Sequence, residues 1–347
     1  MVNPSLIINQ YPNQGYKVIF NQKTGLLIRL ENKNSTEPFW CENGPELIDI
    51  SITNWCDREC GFCYKASART GNHMEISNYR KIIKQAAQMK VLQVALGGGN
   101  PNQHPEFCDI LRMTREEFNI VPSYTTNGRG INADVLIASK KYCGAVAVSA
   151  YEPFEETFVA SRQLIDQGIR TNLHFILTSK TIGTAIQWLK NPPVILSQVN
   201  AIIFLNYKPV GRNPNPELLL KNSQDVPTFF RLAQEKYPFK LGFDSCSISG
   251  ITRFMNVSPI FVERCEASRF SMYISEDMKM YPCSFMANVI EGVPITEENI
   301  RVTWRSHVSF TRIRELLITN NCLKCSVYDT CFGGCPVFKE INMCPDN

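Results

Sequence analysis

The chain has 347 residues, 44% of them hydrophobic, enough to bury a substantial core in one large domain or two, which excludes a disordered chain. Lys and Arg number 36 against 32 Asp and Glu, a formal +4 too small for this length to argue for a nucleic-acid partner, and the aromatic residues show no RNA-binding pattern. No apolar run is long enough to cross a bilayer, and Met1 to Gln14 is polar and rich in Pro and Asn rather than signal-like, so no membrane partner is expected and the expected location is cytoplasmic.

Two short strands are expected at residues 15–20 and 26–30, joined by a turn whose Gly25 suits a hairpin. Residues 46–53, ELIDISIT, alternate and end at a cysteine knot, as a strand feeding a loop does. Helical and strand patterns then take turns: helix 76–90 with strand 91–96, helix 106–118 with strand 121–126, helix 133–141 with strand 145–150, helix 155–167 with strand 171–178, and helix 182–189 with strand 201–207. An initial strand followed by five helix–strand units implies parallel pairing with right-handed crossovers. The expected fold class is α/β, a partial (β/α)6 TIM-type barrel at 49–215, preceded by a β-hairpin extension at 1–48. After about Pro216 the alternation fades, and 216–347 reads as a separate loop-rich, cysteine-rich module. Active sites of such barrels lie at the C-terminal ends of the strands, where the first cysteine knot falls.

Fourteen cysteines without a secretory signal belong in a reducing compartment, where thiols bind metal or do chemistry more often than they form bridges. Cys41, Cys108 and Cys143 stand apart and read as small buried hydrophobes. Cys56, Cys60 and Cys63 present three thiolates from one loop with C-x3-C-x2-C spacing, enough for three irons of a cubane and leaving the fourth open. Zinc knuckles give C-x2-C pairs but rarely this triplet. With Phe62 just before the last cysteine and Tyr64 just after it, the span from about Glu46 to Gly211 resembles the radical S-adenosylmethionine (SAM) superfamily.

That resemblance implies a SAM-binding [4Fe–4S] cluster on Cys56, Cys60 and Cys63, with Phe62 and Tyr64 beside it. It implies that Gly97-Gly98-Gly99-Asn100-Pro101 is the turn whose backbone approaches the SAM methionyl amine, with Asn100 standing where the family usually has Glu. Thr125, Thr126 and Asn127 end the next strand and Ser149 the one after, where the family places hydroxyls on the ribose and carboxylate of SAM. Asn172 and His174 share the inward parity of the fifth strand, and either also suits a satisfied core polar group. Tyr207-Lys208-Pro209-Val210-Gly211 resembles the adenine-side turn, which puts Tyr207 and Pro209 in the cofactor set.

Cys265, Cys283, Cys322, Cys325, Cys331, Cys335 and Cys344 resemble a second pattern, the SPASM extension of peptide-modifying radical SAM enzymes. That resemblance implies two auxiliary [4Fe–4S] clusters, one on Cys246, Cys265, Cys283 and Cys335 and the other on Cys322, Cys325, Cys331 and Cys344, so three clusters in all. Without Cys246, which lies well upstream, the first of these would keep an open iron. The pattern normally has Gly where Met278 stands, so that turn is expected to be built differently. Two zinc sites stapling a small domain are the plainer alternative for the same thiols.

The family's chemistry begins when an external donor such as flavodoxin or ferredoxin reduces the first cluster, which cleaves SAM into methionine and a 5′-deoxyadenosyl radical that abstracts a hydrogen. The expected substrate is a ribosomally made precursor peptide, modified by backbone splicing as in the spliceases, by crosslinking or by epimerisation. Many such enzymes carry an N-terminal winged-helix leader-binding domain, for which residues 1–48 look too short. A leader is then expected to add as a strand to the 15–30 hairpin, or to be presented by a small partner protein. The alternatives are a sulfatase-maturase that makes formylglycine, with Asp244 or Asp277 as catalytic acid, and a zinc-stabilised binding scaffold without redox activity.

Overall fold

The computed structural model describes residues 5–33, 37–319, 322 and 324–344. Three antiparallel strands come first, β1 (Leu6–Tyr11), β2 (Tyr16–Asn21) and β3 (Leu27–Glu31), paired in that order. The expected hairpin is β2 and β3. β1 is an addition that its sequence, LIINQY, disguises, because the inward Asn9 donates to the Lys90 carbonyl at 3.1 Å and so reads as polar while lying buried. Tyr11, Tyr16, Val18 and Phe20 pack on Leu92, Val121 and Phe270. These three lie at the N-terminal ends of barrel strands, so this sheet covers the floor of the barrel.

The barrel follows: β4 (Leu47–Thr53), α1 (Ile76–Gln88), β5 (Gln93–Gly98), α2 (Phe107–Arg112), β6 (Val121–Thr126), α3 (Ala133–Tyr142), β7 (Val146–Ala150), α4 (Phe154–Asp166), β8 (Thr171–Leu177), α5 (Ile182–Lys190) and β9 (Ala201–Asn206). Strands β4 to β9 are neighbours in chain order and all parallel. The helix expected at 106–118 is α2 followed by a wider turn of π type, Met113–Glu117.

Alternation does not stop near residue 216. α6 (Val226–Leu232) leads to β10 (Lys240–Phe243), which pairs parallel with β9. After α7 (Ile248–Phe254) the chain crosses to the other edge, where β11 (Ser271–Ile274) pairs parallel with β4, and β12 (Lys279–Tyr281) and β13 (Val293–Pro294) add antiparallel strands. Helices α8 (Ile300–Ser306), α9 (Val308–Ile318) and α10 (Tyr328–Cys331) complete the chain. The sheet has ten strands with β10 and β13 at its ends, so the C-terminal third is woven into the barrel sheet at both edges. Met278, in the β11–β12 turn, has φ 63°. This corrects the expectation of a differently built turn: Met278 takes the left-handed conformation that glycine holds at low cost, despite a steric penalty of roughly 1 kcal/mol.

Strand parity divides the barrel into two environments. Ile48, Ile50 and Ile52 of β4, Val94 and Leu96 of β5, and Leu173, Phe175 and Leu177 of β8 belong to the apolar core shared with the helices. The opposite parity carries Asp49, Ser51, Gly97, Ser123, Thr125, Ser149, Asn172 and His174, a polar lumen open toward the C-terminal ends of the strands.

Candidate active site

The loop after β4 is held by backbone pairing rather than by helix or strand. Trp55 bridges Ala68, the Cys56 amide donates to the Ala68 carbonyl at 3.0 Å, and the Cys63 amide to the Cys60 carbonyl at 3.2 Å. Its flank is clamped by Arg58, whose guanidinium meets Glu156 at 3.0 Å. Cys56, Cys60 and Cys63 stand close enough to feel one another's charge: burial pushes the Cys60 thiol up, Arg58 pulls it down, and Cys63 and Cys56 push it up again. The Asn127 amide donates to Cys56 Sγ at 3.7 Å and to Asp57 at 2.9 Å. Phe62 packs edge-on against Tyr151 just after β7, with centroids 5.0 Å apart. Tyr64 turns into the mouth, where it lies 4.8 Å from the Phe285 ring.

The glycine-rich turn splits by role. A Cβ on Gly98 would lie 2.1 Å from the Thr53 carbonyl oxygen and one on Gly99 1.9 Å from that of Trp55, so both are glycine because the end of β4 presses on the first and the cysteine loop on the second. A Cβ on Gly97 would meet nothing within 4 Å, because Gly97 faces the lumen. The Asn100 side chain is wholly buried, donating to Gln103 at 2.8 Å and to the Arg129 carbonyl at 3.0 Å while accepting from the Asn127 amide at 3.1 Å. Its work is to tie this turn to the end of β6.

Thr125 faces the lumen, with its hydroxyl 3.5 Å from His174 Nδ1. Thr126 points the other way, toward Asn102 at 2.6 Å. Ser149 lies in the lumen in register with His174. Asn172 also faces inward but sits two residues lower on β8, where it accepts from Asn200 at 2.8 Å. Tyr207 spends its hydroxyl on the Asn215 amide at 3.1 Å, and Pro209 lies in the turn that returns to the cysteine loop, where the Arg212 amide donates to the Cys63 carbonyl at 3.0 Å.

In the C-terminal third the fold brings Cys246, Cys265, Cys283 and Cys335 into one group. Cys246 feels the charge of Cys335 and Cys283, and Cys265 does likewise. Burial is the main influence on each, pushing Cys265 to about 12 and Cys283 to about 11. Cys331 lies near Cys344 and burial pushes it to about 11. The Cys325 amide donates to the Cys322 carbonyl at 2.8 Å in a tight turn, and Cys325 is exposed. Cys41, Cys108 and Cys143 pack within or against apolar clusters. Among the described residues no three His, Cys, Asp or Glu side chains converge as a single metal ion requires; a cubane, which gives each thiolate its own iron, does not ask for that closure.

Three residues given no role of their own in the sequence expectations shape the mouth. Asp49 sits on the lumen side of β4, beside Tyr273 of β11, and burial pushes its carboxyl from 3.8 to about 6. An acid on the inward parity of ELIDISIT was the available signal. Lys208 and Phe285 meet at 4.4 Å from ammonium to ring centroid, and nothing local in sequence pairs them. Both acids considered for a sulfatase-maturase are engaged: Asp244 meets Lys208 at 2.6 Å, and Asp277 pairs with Lys279 at 3.3 Å, where hydrogen bonds from Ser275 and Lys279 outweigh burial and keep it low. His174, pushed down to about 4 by burial, is neutral throughout the physiological range.

These residues fit the groups that the sequence implies: three thiols on one loop, a side-chain-free turn at Gly97, and a polar lumen below. Residues 50–172 match the family described as the Radical SAM superfamily. Over 325 aligned residues the chain is 23% identical to the mycofactocin maturase MftC of Mycobacterium ulcerans, covering 86% of this chain and 84% of that one. Its fold resembles that of SuiB of Streptococcus suis bound to S-adenosylmethionine, with TM-score 0.74 at 16% identity over 96% of this chain and 95% of SuiB. SuiB bound to the precursor peptide SuiA gives 0.73 at 16% identity over 95% and 94%. It also resembles anSMEcpe with bound AdoMet and the Cp18Cys peptide, with TM-score 0.61 at 15% identity over 87% and 91%. Among the described residues no helix is long and apolar enough to cross a membrane.

Proposed function

We propose that this chain, a radical SAM enzyme, modifies a residue of a ribosomally made precursor peptide held at the mouth of its barrel. The observation that carries the reading is the gathering of two thiol groups on one barrel, Cys56, Cys60 and Cys63 after β4 and the Cys246, Cys265, Cys283 and Cys335 group from segments that include those beside β10, β11 and β12. In support, MftC is named a maturase, and SuiB, whose fold this chain shares, is described bound to a precursor peptide.

In this reading Cys56, Cys60 and Cys63 hold the first cluster, while the Cys246 group and the set of Cys322, Cys325, Cys331 and Cys344 hold two auxiliary ones. When bound, the first cluster supplies one electron to SAM and so a 5′-deoxyadenosyl radical. The chain's own residues position and shield. Gly97 leaves room for the methionyl end of SAM, Thr125 and Ser149 offer hydroxyls to its polar groups, and Tyr207 and Pro209 shape the adenine side. Tyr64, Phe285 and Lys208 narrow the mouth, which keeps water and stray hydrogen donors from the reacting C–H bond. Cluster chemistry of this kind suits a cytoplasmic setting with a flavodoxin or ferredoxin as donor.

The division into residues 1–48, 49–215 and 216–347 assigns floor, barrel and auxiliary module. Since the N-terminal sheet covers the floor, a leader added to its edge would have to run the height of the barrel to the mouth, which favours presentation by a small separate partner protein. The ion pairs of Asp244 with Lys208 and of Asp277 with Lys279 count against these two as the acid of a sulfatase-maturase. Incubating reconstituted protein with SAM, dithionite and precursor peptides encoded beside it, then reading mass spectra, tests the substrate. A SAM-dependent mass change on a precursor peptide supports the reading, and formylglycine made from a sulfatase-type peptide in its place overturns it.

A further inference from the structure

Lys208 follows β9 directly, and its side chain is only 2% exposed. Its ammonium lies 2.6 Å from Asp244 Oδ2, two residues before Cys246, and over the Phe285 ring, which with Cys246 packs against the apolar cluster that contains Cys335. The Asp244 carboxylate is the ion-pair partner of this buried ammonium. Cys283 and Cys335 feel the same charge. Asp244 does not use Lys208 alone, since it also accepts from the Ser247 hydroxyl at 2.7 Å and from the Asn206 amide at 3.2 Å. One buried cation therefore lies beside this group of thiols. A second cation, Arg269, acts on Cys265 and donates to the Cys265 carbonyl at 3.1 Å.

The position along the chain adds a second connection. Three residues beyond Lys208, a Cβ on Gly211 would stand 2.2 Å from the Cys63 carbonyl oxygen. The short turn from Tyr207 to Arg212 thus touches the first cysteine loop at one end and the Cys246 group at the other.

We infer that Lys208 is a positioning residue for the cluster on Cys246, Cys265, Cys283 and Cys335: its ammonium holds Cys246 in the ligand set and stabilises the reduced cluster, making this site an electron acceptor. The inference rests on the reading above that these four thiols bind a cluster. Adding one electron adds one negative charge to a group already carrying four thiolates in a buried site. Net charge, hydrogen bonds to sulfur and exposure set such potentials, and Lys208 places a cation beside the site. Asp244 opposes it, so the pair sets the potential by difference.

The test uses the full chain, reconstituted anaerobically and reduced stepwise with dithionite, with spin resonance following the signal that is lost in Cys283→Ala. Iron is counted in each variant. Lys208→Gln is expected to lower the ratio of reduced to oxidised cluster at fixed potential about tenfold, a shift of about 59 mV for one electron. Lys208→Arg should restore most of it, and Asp244→Asn should move it the opposite way. Loss of iron in Lys208→Gln, with iron kept in Lys208→Arg, supports the holding role, and Asp244→Asn then reports the electrostatic one. Full iron with midpoints unmoved in both Lys208→Gln and Asp244→Asn overturns the inference. Failure of the underlying reading looks different, because the unsubstituted chain would then lack any iron that depends on Cys283.

Discussion

A methyl group added at Gly97 meets open lumen, while one added at Gly99 meets the Trp55 carbonyl at 1.9 Å. Two glycines of one motif therefore serve different ends, and substitution separates them. Gly97→Ala is expected to weaken SAM binding about tenfold, roughly 1.4 kcal/mol, with an unchanged melting temperature, as equilibrium dialysis and calorimetry would read. Gly99→Ala should instead disturb the cysteine loop and reduce bound iron. Asp49 gives a pH-dependent counterpart. Its folded value, about 6, is raised above 3.8 by burial, so its stability contribution is full below pH 3.8 and is lost as pH rises through 6. About two units at 1.36 kcal/mol each make the ionised form cost at most about 3 kcal/mol. Asp49→Asn should thus be more stable than the parent at pH 8 in urea unfolding, with the difference gone near pH 4. An equal difference at both pH values would mean that the lumen does not desolvate this acid.

At the scale of elements, β3 is tied to the rest of the chain by Arg29, whose guanidinium meets Glu46 at 2.8 Å, Glu263 at 2.9 Å, Glu37 at 3.1 Å and Glu266 at 3.2 Å. It also lies 3.7 Å over the Phe270 ring. Arg29→Met would strand the buried Glu46 carboxylate and is expected to cost roughly 3–5 kcal/mol in denaturant unfolding, with the N-terminal sheet released first in hydrogen exchange. A loss below about 1 kcal/mol would show that the floor docks by apolar contact alone. How far these elements could be read from sequence follows from their length and period. Residues 121–126 form a strand with the bounds their pattern suggests, because VPSYTT lies between clear turns. β10 has four residues, KLGF, too few to display a period, and β1 hides its parity behind a buried Asn9. Met278 in the left-handed region marks a place where the required backbone conformation overrode residue preference. At the site, the C-x3-C-x2-C loop was legible because its residues are contiguous. Asn100 was legible only as a departure, since the partners that absorb its side chain, Gln103 and Arg129, are set by the fold. Lys208 facing Cys246 across the mouth has no sequence signature, because the two lie on different strand ends that meet only when β10 pairs with β9.

For the molecule as a whole, a ten-stranded sheet places one thiol group after β4 and draws the second from segments beside both edges of its parallel part, β10 and β11. The C-terminal third joins the barrel sheet at both edges, and its cysteines adjoin the strands it adds: Cys246 follows β10, Cys265 precedes β11 and Cys283 follows β12. The floor is sealed by the N-terminal sheet, so the lumen opens toward the thiols. The central claim is that the loop of Cys56, Cys60 and Cys63 carries SAM-cleaving chemistry. It is tested most directly by 5′-deoxyadenosine formation from SAM and dithionite on anaerobically reconstituted protein, with iron and zinc analysed on the same sample and Cys56→Ala as the control. The account predicts roughly twelve irons per chain, four for each of three cubanes, and 5′-deoxyadenosine that disappears in Cys56→Ala. Zinc without iron, or 5′-deoxyadenosine that persists in Cys56→Ala, would contradict it.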